Sequence, residues 1–302
     1  MQGYITILRI DYWFKNVFMI PGMVLALFLH PDSLSLEHIG LMVVGVLATC
    51  LVASANYVIN EYLDAEYDRH HPVKKSRPAV TGAVSGRGVL IAYALLIISG
   101  LGLSALISSM FLVVAVLFLM AGFAYNVPPI RTKERVYLDI LSESLNNPIR
   151  FLLGWSIFVP DIIPPSSILI AYWSGGAFLM AIKRFAEYRY IGNPELAGQY
   201  RRSFQFYTED KLLVSSFFYA LTSTFFIGIF LIKYRIEFLV LFPFISLLFT
   251  NYLKVGLKHN SAAQNPEQLF KEKELMAYVG FLLFLFVLLS FVDLPWLALL
   301  AK

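Results

Sequence analysis

Long apolar runs restrict this chain more than any other feature. About nine stretches, roughly 17–30, 39–60, 89–108, 110–127, 138–158, 167–188, 212–232, 237–253 and 275–300, approach the ~20 residues a helix needs to cross hydrocarbon. The first is short and borrows Trp13 and Phe14. Only helices and closed barrels satisfy their backbone in lipid, and these runs are too long for barrel strands. The expected fold is therefore all-α: a polytopic membrane protein of about nine transmembrane helices, in one domain over 1–302. Composition agrees, since only 15% of residues are charged, against about 25% in a soluble domain.

Charge placement predicts orientation. The connections fall into two sets by parity. The N-terminus, 61–88, 128–137, 183–211 and 254–274 hold most of the 24 Lys and Arg residues, while 31–38, 108–109, 159–166 and 233–236 hold only Lys233 and Arg235. By the positive-inside rule the first set is cytoplasmic, which puts the N-terminus inside and the C-terminus outside a cell membrane. The basic pI reflects this loop bias and not a nucleic-acid site. Cys50 is the only cysteine, so no internal disulfide and no cysteine metal cluster is expected. The N-terminus lacks a basic segment followed by a cleavage site, so no removable signal peptide is expected.

The second run leads into Asn56-Tyr-Val-Ile-Asn60-Glu61-Tyr-Leu-Asp64-Ala-Glu-Tyr-Asp68. On a helix, steps of four stay near one face, so Asn56, Asn60, Asp64 and Asp68 form one slowly rotating stripe with Glu61 beside it. Clustered carboxylates repel one another and call for a cation. Hard oxygen ligands that leave room for phosphate suit Mg2+. An ordinary solvated helix end accounts for the acids but not for two asparagines at membrane depth, where polar groups are costly. Downstream, Arg69-His70-His71-Pro72-Val73-Lys74-Lys75-Ser76-Arg77-Pro78 is a proline-broken basic loop. Positive-inside anchoring explains its cations; a loop closing on phosphate explains the prolines and paired histidines as well.

The pattern Asn60-Glu61-xx-Asp64-xxx-Asp68 resembles the first aspartate-rich motif of the intramembrane UbiA-type prenyltransferase superfamily, with Glu61 standing where that family has Asp. Its extension, Asp68-Arg69-x-His71-Pro72-x-Lys74-xx-Arg77-Pro78, resembles the decaprenyl-phosphate phosphoribosyltransferase subgroup. The resemblance implies a cavity open to the cytoplasmic side, with Asn60, Glu61, Asp64 and Asp68 on Mg2+ and His71, Lys74 and Arg77 on substrate.

Other polar positions extend the likeness. Trp13-Phe14-Lys15-Asn16 reads as an interfacial anchor; it also resembles the subgroup's Trp-x-Lys-Asn start, which makes Lys15 and Asn16 phosphate contacts. Tyr125-Asn126-Val-Pro128-Pro129-Ile-Arg131-Thr-Lys133 resembles a family loop and carries over Tyr125 and Lys133, while Arg131 and Arg135 fit a basic interfacial loop equally well. Asp139, Glu143, Asn147 and Arg150 share a helical face in the fifth run. Arg150 there is either paired, with Glu143 two turns away, or lines a wet cavity. The sixth run ends in Lys183-Arg184-Phe-Ala-Glu187. Lys183 and Glu187 are spaced to pair along a helix. The wider superfamily places a second aspartate-rich motif here, and the phosphoribosyl subgroup places Lys-Arg-Tyr-x-Glu.

The resemblance implies transfer of 5-phosphoribosyl from 5-phosphoribosyl-1-diphosphate to a polyprenyl phosphate. Asp64, Asp68, Lys183 and Glu187 would be catalytic. Asn56, Asn60, Arg150 and Arg184 would bind substrate with the cations above. Two alternatives stand beside it: an isoprenyl-diphosphate-dependent aromatic prenyltransferase, disfavoured by the missing second acidic motif, and a non-enzymatic lipid carrier or flippase, disfavoured because the polar groups gather toward one membrane side. The partners expected are the two substrates and the bilayer; self-association into a homo-oligomer stays open.

Overall fold

The computed structural model describes residues 2–69, 74–259, 261–264 and 266–297. Every regular element among them is helical, and eight helical segments are long and apolar enough to cross a membrane. Their large apolar side chains often point outward: Ile98 is 69% exposed, Phe217 65% and Phe284 66%. Such a surface is stable against lipid tails and not against water, and the chain is a multi-pass membrane protein. It comprises two compact units, Met1–Pro164 and Pro165–Lys302.

In the first unit, α1 (Gln2–Ile7), a 3-10 stretch (Ile10–Met19) and α2 (Ile20–Leu29) make up the first apolar span. Then come α3 (Leu36–Asp68), α4 (Pro78–Thr81), α5 (Gly86–Ala105), α6 (Ser109–Asn126), α7 (Leu138–Ser144) and α8 (Asn146–Phe158). Serine caps set the starts of α5 and α6: Ser85 Oγ accepts from Gly88 N, and Ser108 Oγ from Phe111 N, both at 3.1 Å. The second cap is what makes the tight turn between α5 and α6 workable.

The run 138–158 was expected as one span and instead forms α7 and α8, which accounts for eight long helices and not nine. Pro148 is the physical reason. Its ring cannot sit against a helical carbonyl four residues back, and four residues back is Ser144, where α7 ends.

Two glycines bring α2 and α8 together at backbone distance. A Cβ on Gly22 would lie 2.0 Å from the Phe151 carbonyl oxygen, and one on Gly154 would lie 2.0 Å from that of Met19. Close crossings of this kind rely on small residues because lipid supplies no hydrophobic drive between helices. Arg150, one turn before Gly154, is positioned by this crossing.

The second unit holds α9 (Ser166–Ile191), α10 (Pro194–Tyr200), α11 (Glu209–Tyr234), α12 (Leu241–Gly256) and α13 (Lys273–Phe291). α9 and α11 pack along their lengths, tied by Ser223 Oγ donating to the Ala171 carbonyl at 2.9 Å. Phe178 meets Phe249 edge-on, centroids 4.8 Å apart, joining α9 to α12.

Candidate functional site

The last turns of α3 carry the acidic stripe. Asn60 Nδ2 donates to Asp64 Oδ2, one turn on, at 3.3 Å, and to Asn126 Oδ1 at the end of α6. Pro128 and Pro129 then prevent α6 from continuing, and Arg131 adopts a left-handed backbone with φ 32°. The loop therefore folds back over the two helix ends. Lys133 Nζ reaches Asp64 Oδ1 at 2.6 Å and Asn126 Oδ1 at 3.0 Å. Arg131 Nη2 reaches the same Asp64 oxygen at 2.9 Å, its Nε donates to Glu134 at 2.6 Å, and its Nη1 donates to the Asn126 carbonyl at 2.9 Å. Burial alone would pull the Arg131 guanidinium down, but the carboxylates of Glu134 and Asp64 outweigh it and hold the pKa above the ordinary arginine value. Arg131 is charged at any working pH.

Asp68 is held by the basic segment that follows it. Arg77 Nη1 donates to Asp68 Oδ2 at 2.5 Å. His71 lies outside the described residues; Lys74 belongs to the short 3-10 turn Lys74–Ser76. Glu61 does different work. It is 1% exposed, its Oε1 accepts from the Ala79 amide at 3.4 Å, and its Oε2 lies 3.9 Å from Arg9 Nη1. It thus ties α4 and the N-terminal segment to α3. Among the described residues no three Asp, Glu, His or Cys side chains gather closely enough to hold a metal by themselves, so the quartet Asn60, Glu61, Asp64, Asp68 is not one assembled cage. Two carboxylates one turn apart beside a side-chain amide still fit Mg2+, which takes one or two carboxylates and completes its shell from phosphate and water.

Asn60 also lines a cavity of about 170 Å3, built from the N-terminal 3-10 stretch, α3, α6, α7 and α8. Lys15, Asn56, Asn60, Tyr125, Glu143 and Arg150 all line it. Tyr125 Oη donates to Glu143 Oε2 at 2.8 Å. Arg150 Nε donates to Asn16 Oδ1 at 2.9 Å, and its guanidinium lies 4.8 Å from the Phe118 ring centroid. Asn16 in turn donates to Cys50 Sγ at 3.1 Å. Arg150 thus lines this cavity, with Glu143 on the same wall. Trp13, which composition reads as an interfacial anchor, instead donates inward to Ser54 Oγ at 2.9 Å.

In the second unit, Arg184 is 1% exposed and its Nη1 donates to Glu187 Oε2 at 2.9 Å; Lys183 Nζ lies 3.9 Å from Glu187 Oε1. Two cations thus share one carboxylate.

Sequence reasoning undervalued Arg131, Asn126 and Arg9 and passed over Asn146, which also lines the cavity. The signal for Arg131 was the Pro128-Pro129 pair, which turns the loop back toward the helix ends. Nothing in the sequence marks Arg9 as the residue beside Glu61.

The sequence profile of the UbiA prenyltransferase family matches residues 17–273, and the chain belongs to that family. A protoheme IX farnesyltransferase of Geobacillus kaustophilus is 30% identical over 166 residues, 53% of this chain and 53% of that protein. A decaprenyl-phosphate phosphoribosyltransferase of Mycolicibacterium smegmatis is 26% identical over 212 residues, 70% of this chain and 64% of that protein. The chain thus spans less than two thirds of the length of either. A UbiA homolog from Archaeoglobus fulgidus, solved bound to GPP and Mg2+, matches with a TM-score of 0.71 at 22% identity, over 96% of this chain and 98% of that one. The all-helical fold is therefore UbiA-like.

Proposed function

We propose that this member of the UbiA prenyltransferase family is a magnesium-dependent transferase that moves 5-phosphoribosyl from 5-phosphoribosyl-1-diphosphate to a polyprenyl phosphate. The observation that carries the reading is the cationic cluster of Lys183 and Arg184 about Glu187. The resemblance to the wider superfamily implies a second aspartate-rich motif at this position, whereas here the single carboxylate is already engaged by two cations. The likeness to the mycobacterial phosphoribosyltransferase supports it.

In this reading the bond between C1 of the sugar and the diphosphate oxygen breaks, and the diphosphate leaves with the electron pair. An oxygen of the lipid phosphate forms the new bond to C1. That phosphate is ionised at neutral pH, so a strong general base is unnecessary. Asp64 and Asp68, with Asn60, would hold Mg2+, which when bound neutralises charge developing on the leaving diphosphate. Lys133, Arg131 and Arg77, already on those carboxylates, would contact phosphate oxygens as well. Lys15, Arg150, Lys74 and His71 would contribute to the sugar phosphate, and Lys183 and Arg184 to the lipid phosphate. Glu187 would hold its two cations in place. Catalysis would rest on positioning and charge stabilisation. By the positive-inside rule the Asp64 end would face the cytoplasm.

The test incubates purified protein and Mg2+ with radiolabelled 5-phosphoribosyl-1-diphosphate and polyprenyl phosphate, and separately with an isoprenyl diphosphate and aromatic or porphyrin acceptors. Labelled lipid in the first mixture supports the reading. Product only in the second overturns it in favour of prenyl transfer, the activity named for the farnesyltransferase relative.

A further inference from the structure

The N-terminal 3-10 stretch is long for its kind. Such helices seldom run past three or four residues, and this one covers ten, Ile10–Met19. Tyr12 N donates to the Arg9 carbonyl, three residues back, at 2.8 Å. The side chains follow the same winding, because exposure repeats every third residue. Asp11, Phe14 and Val17 are exposed, Tyr12, Lys15 and Phe18 are half-buried, and Asn16 and Met19 are buried. At three residues per turn, side chains at i and i+3 eclipse. In an α-helix each would be rotated about 60° from the last. The winding therefore sorts the segment into rows. Trp13 and Asn16 lie on the row that meets Ser54 and Arg150.

A second row is Arg9, Tyr12 and Lys15. The Arg9 guanidinium carbon lies 4.0 Å from the Tyr12 ring centroid, and Lys15 Nζ lies 4.1 Å from it. Both are within the range of a cation–π contact. Tyr57 of α3 meets the same ring nearly at right angles, with centroids 5.5 Å apart. Arg9 is tied in turn to Asp11 at 3.6 Å and to Glu61 at 3.9 Å. The Tyr12 ring is thus fixed both from α3 and from its own row. At the far end of that row, Lys15 lines the polar cavity together with Tyr57 and Arg150.

We propose that Tyr12 is a positioning residue whose ring holds the Lys15 ammonium at the cavity wall for a phosphate of the sugar donor. The inference rests on the phosphosugar reading above and deepens it, since Tyr12 acts through Lys15. Lysine carries its charge on a flexible four-carbon stem, and ordering such a stem during binding weakens affinity. A ring that orders it beforehand removes that loss. An ammonium has three donors, so contact with a ring does not use up its capacity for phosphate oxygens. The 3-10 winding supplies the alignment that an α-helix would lack.

The experiment measures binding of ribose 5-phosphate to the full-length protein in lipid nanodiscs by calorimetry. Tyr12→Leu should bind about three- to tenfold more weakly, the scale of one cation–π contact. Tyr12→Phe keeps the ring and should bind close to wild type. Mono-, di- and trifluorophenylalanine placed at position 12 keep the ring's shape while draining its face of charge, so affinity should fall in that order. This series carries the test if Tyr12→Leu does not fold. In a Lys15→Met background the whole series should become flat. A flat series with Lys15 present overturns the proposal, and so does an equal slope with Lys15 replaced. If phosphoribosyl transfer to lipid proceeds while the series is flat, this inference alone falls. If no ribose phosphate binds the wild type and an isoprenyl diphosphate does, the function falls and takes the inference with it.

Discussion

Lys133 sets its ammonium 2.6 Å from Asp64 Oδ1, joining residues 69 positions apart in the chain. Arg131 reaches the same oxygen at 2.9 Å. One carboxylate thus organises two cations from a loop that Pro128 and Pro129 turn back toward it. Asp64→Asn removes the charge and keeps the shape. Transfer activity should fall on the order of 10²–10³-fold, the scale of losing one preorganised charge contact at a reacting centre. The apparent Mg2+ requirement should rise in parallel, measured by titrating the metal in the lipid-product assay. Activity unchanged in Asp64→Asn would remove Asp64 from the chemistry and favour a carrier over an enzyme.

Arg77 and Asp68 form the second such pair, at 2.5 Å, and both side chains are largely buried. Arg77→Ala should raise KM for the phosphosugar about tenfold while changing kcat less, because a group that contacts ground state and transition state alike mainly affects binding. Arg77→Lys should recover part of the loss. Its charge remains, but its point-like ammonium cannot reproduce the guanidinium fork. Steady-state kinetics at saturating lipid phosphate separates the two constants; a kcat loss with unchanged KM contradicts the assignment.

Glu187 pairs with Arg184, which is almost wholly buried beside it. Glu187→Gln removes the charge that Arg184 Nη1 donates to, and breaking a buried pair from one side costs up to about 3–5 kcal/mol. The variant should melt well below the wild type. Its Mg2+ titration midpoint should stay where it was, in contrast to Asp64→Asn. A shifted midpoint in Glu187→Gln would make it a metal ligand and restore the prenyl-transfer reading.

The spans and the stripe were legible in the sequence because both depend on local periodicity. Apolar length alone places α3, α5, α6, α9, α11, α12 and α13, and four-residue spacing alone places Asn60 against Asp64. What did not show was long-range pairing. Arg131 on Asp64 and Arg9 beside Glu61 join residues distant in the chain, and no spacing rule reports that. The break at Leu145 was legible but was outweighed by the apolarity of 138–158, although Pro148 states it plainly once its ring is set against the Ser144 carbonyl. Asn146 went unnoticed for the same reason, since its cavity-lining place follows from α8 beginning there.

That break makes α8 a short helix whose position depends on its crossing with α2. Gly154 is the tightest test of the crossing. An added Cβ would fall 2.0 Å from the Met19 carbonyl oxygen and 2.8 Å from its carbon, and backbone cannot swing aside as a side-chain end can. Gly154→Ala should therefore sit at or above the upper end of the ~1–3 kcal/mol typical of overpacking, seen as a lower melting temperature in detergent. The strain also reaches the site. Arg150 lies one turn before Gly154 and donates to Asn16, a residue of the 3-10 stretch that ends at Met19. Pushing α8 away from Met19 separates the Arg150 guanidinium from Asn16, so transfer activity should fall by more than the loss of folded protein explains. Comparing activity per folded molecule in Gly154→Ala with that in Gly102→Ala, where a Cβ meets open space, isolates the effect. Equal specific activities would mean that the crossing supports the fold and does not position Arg150.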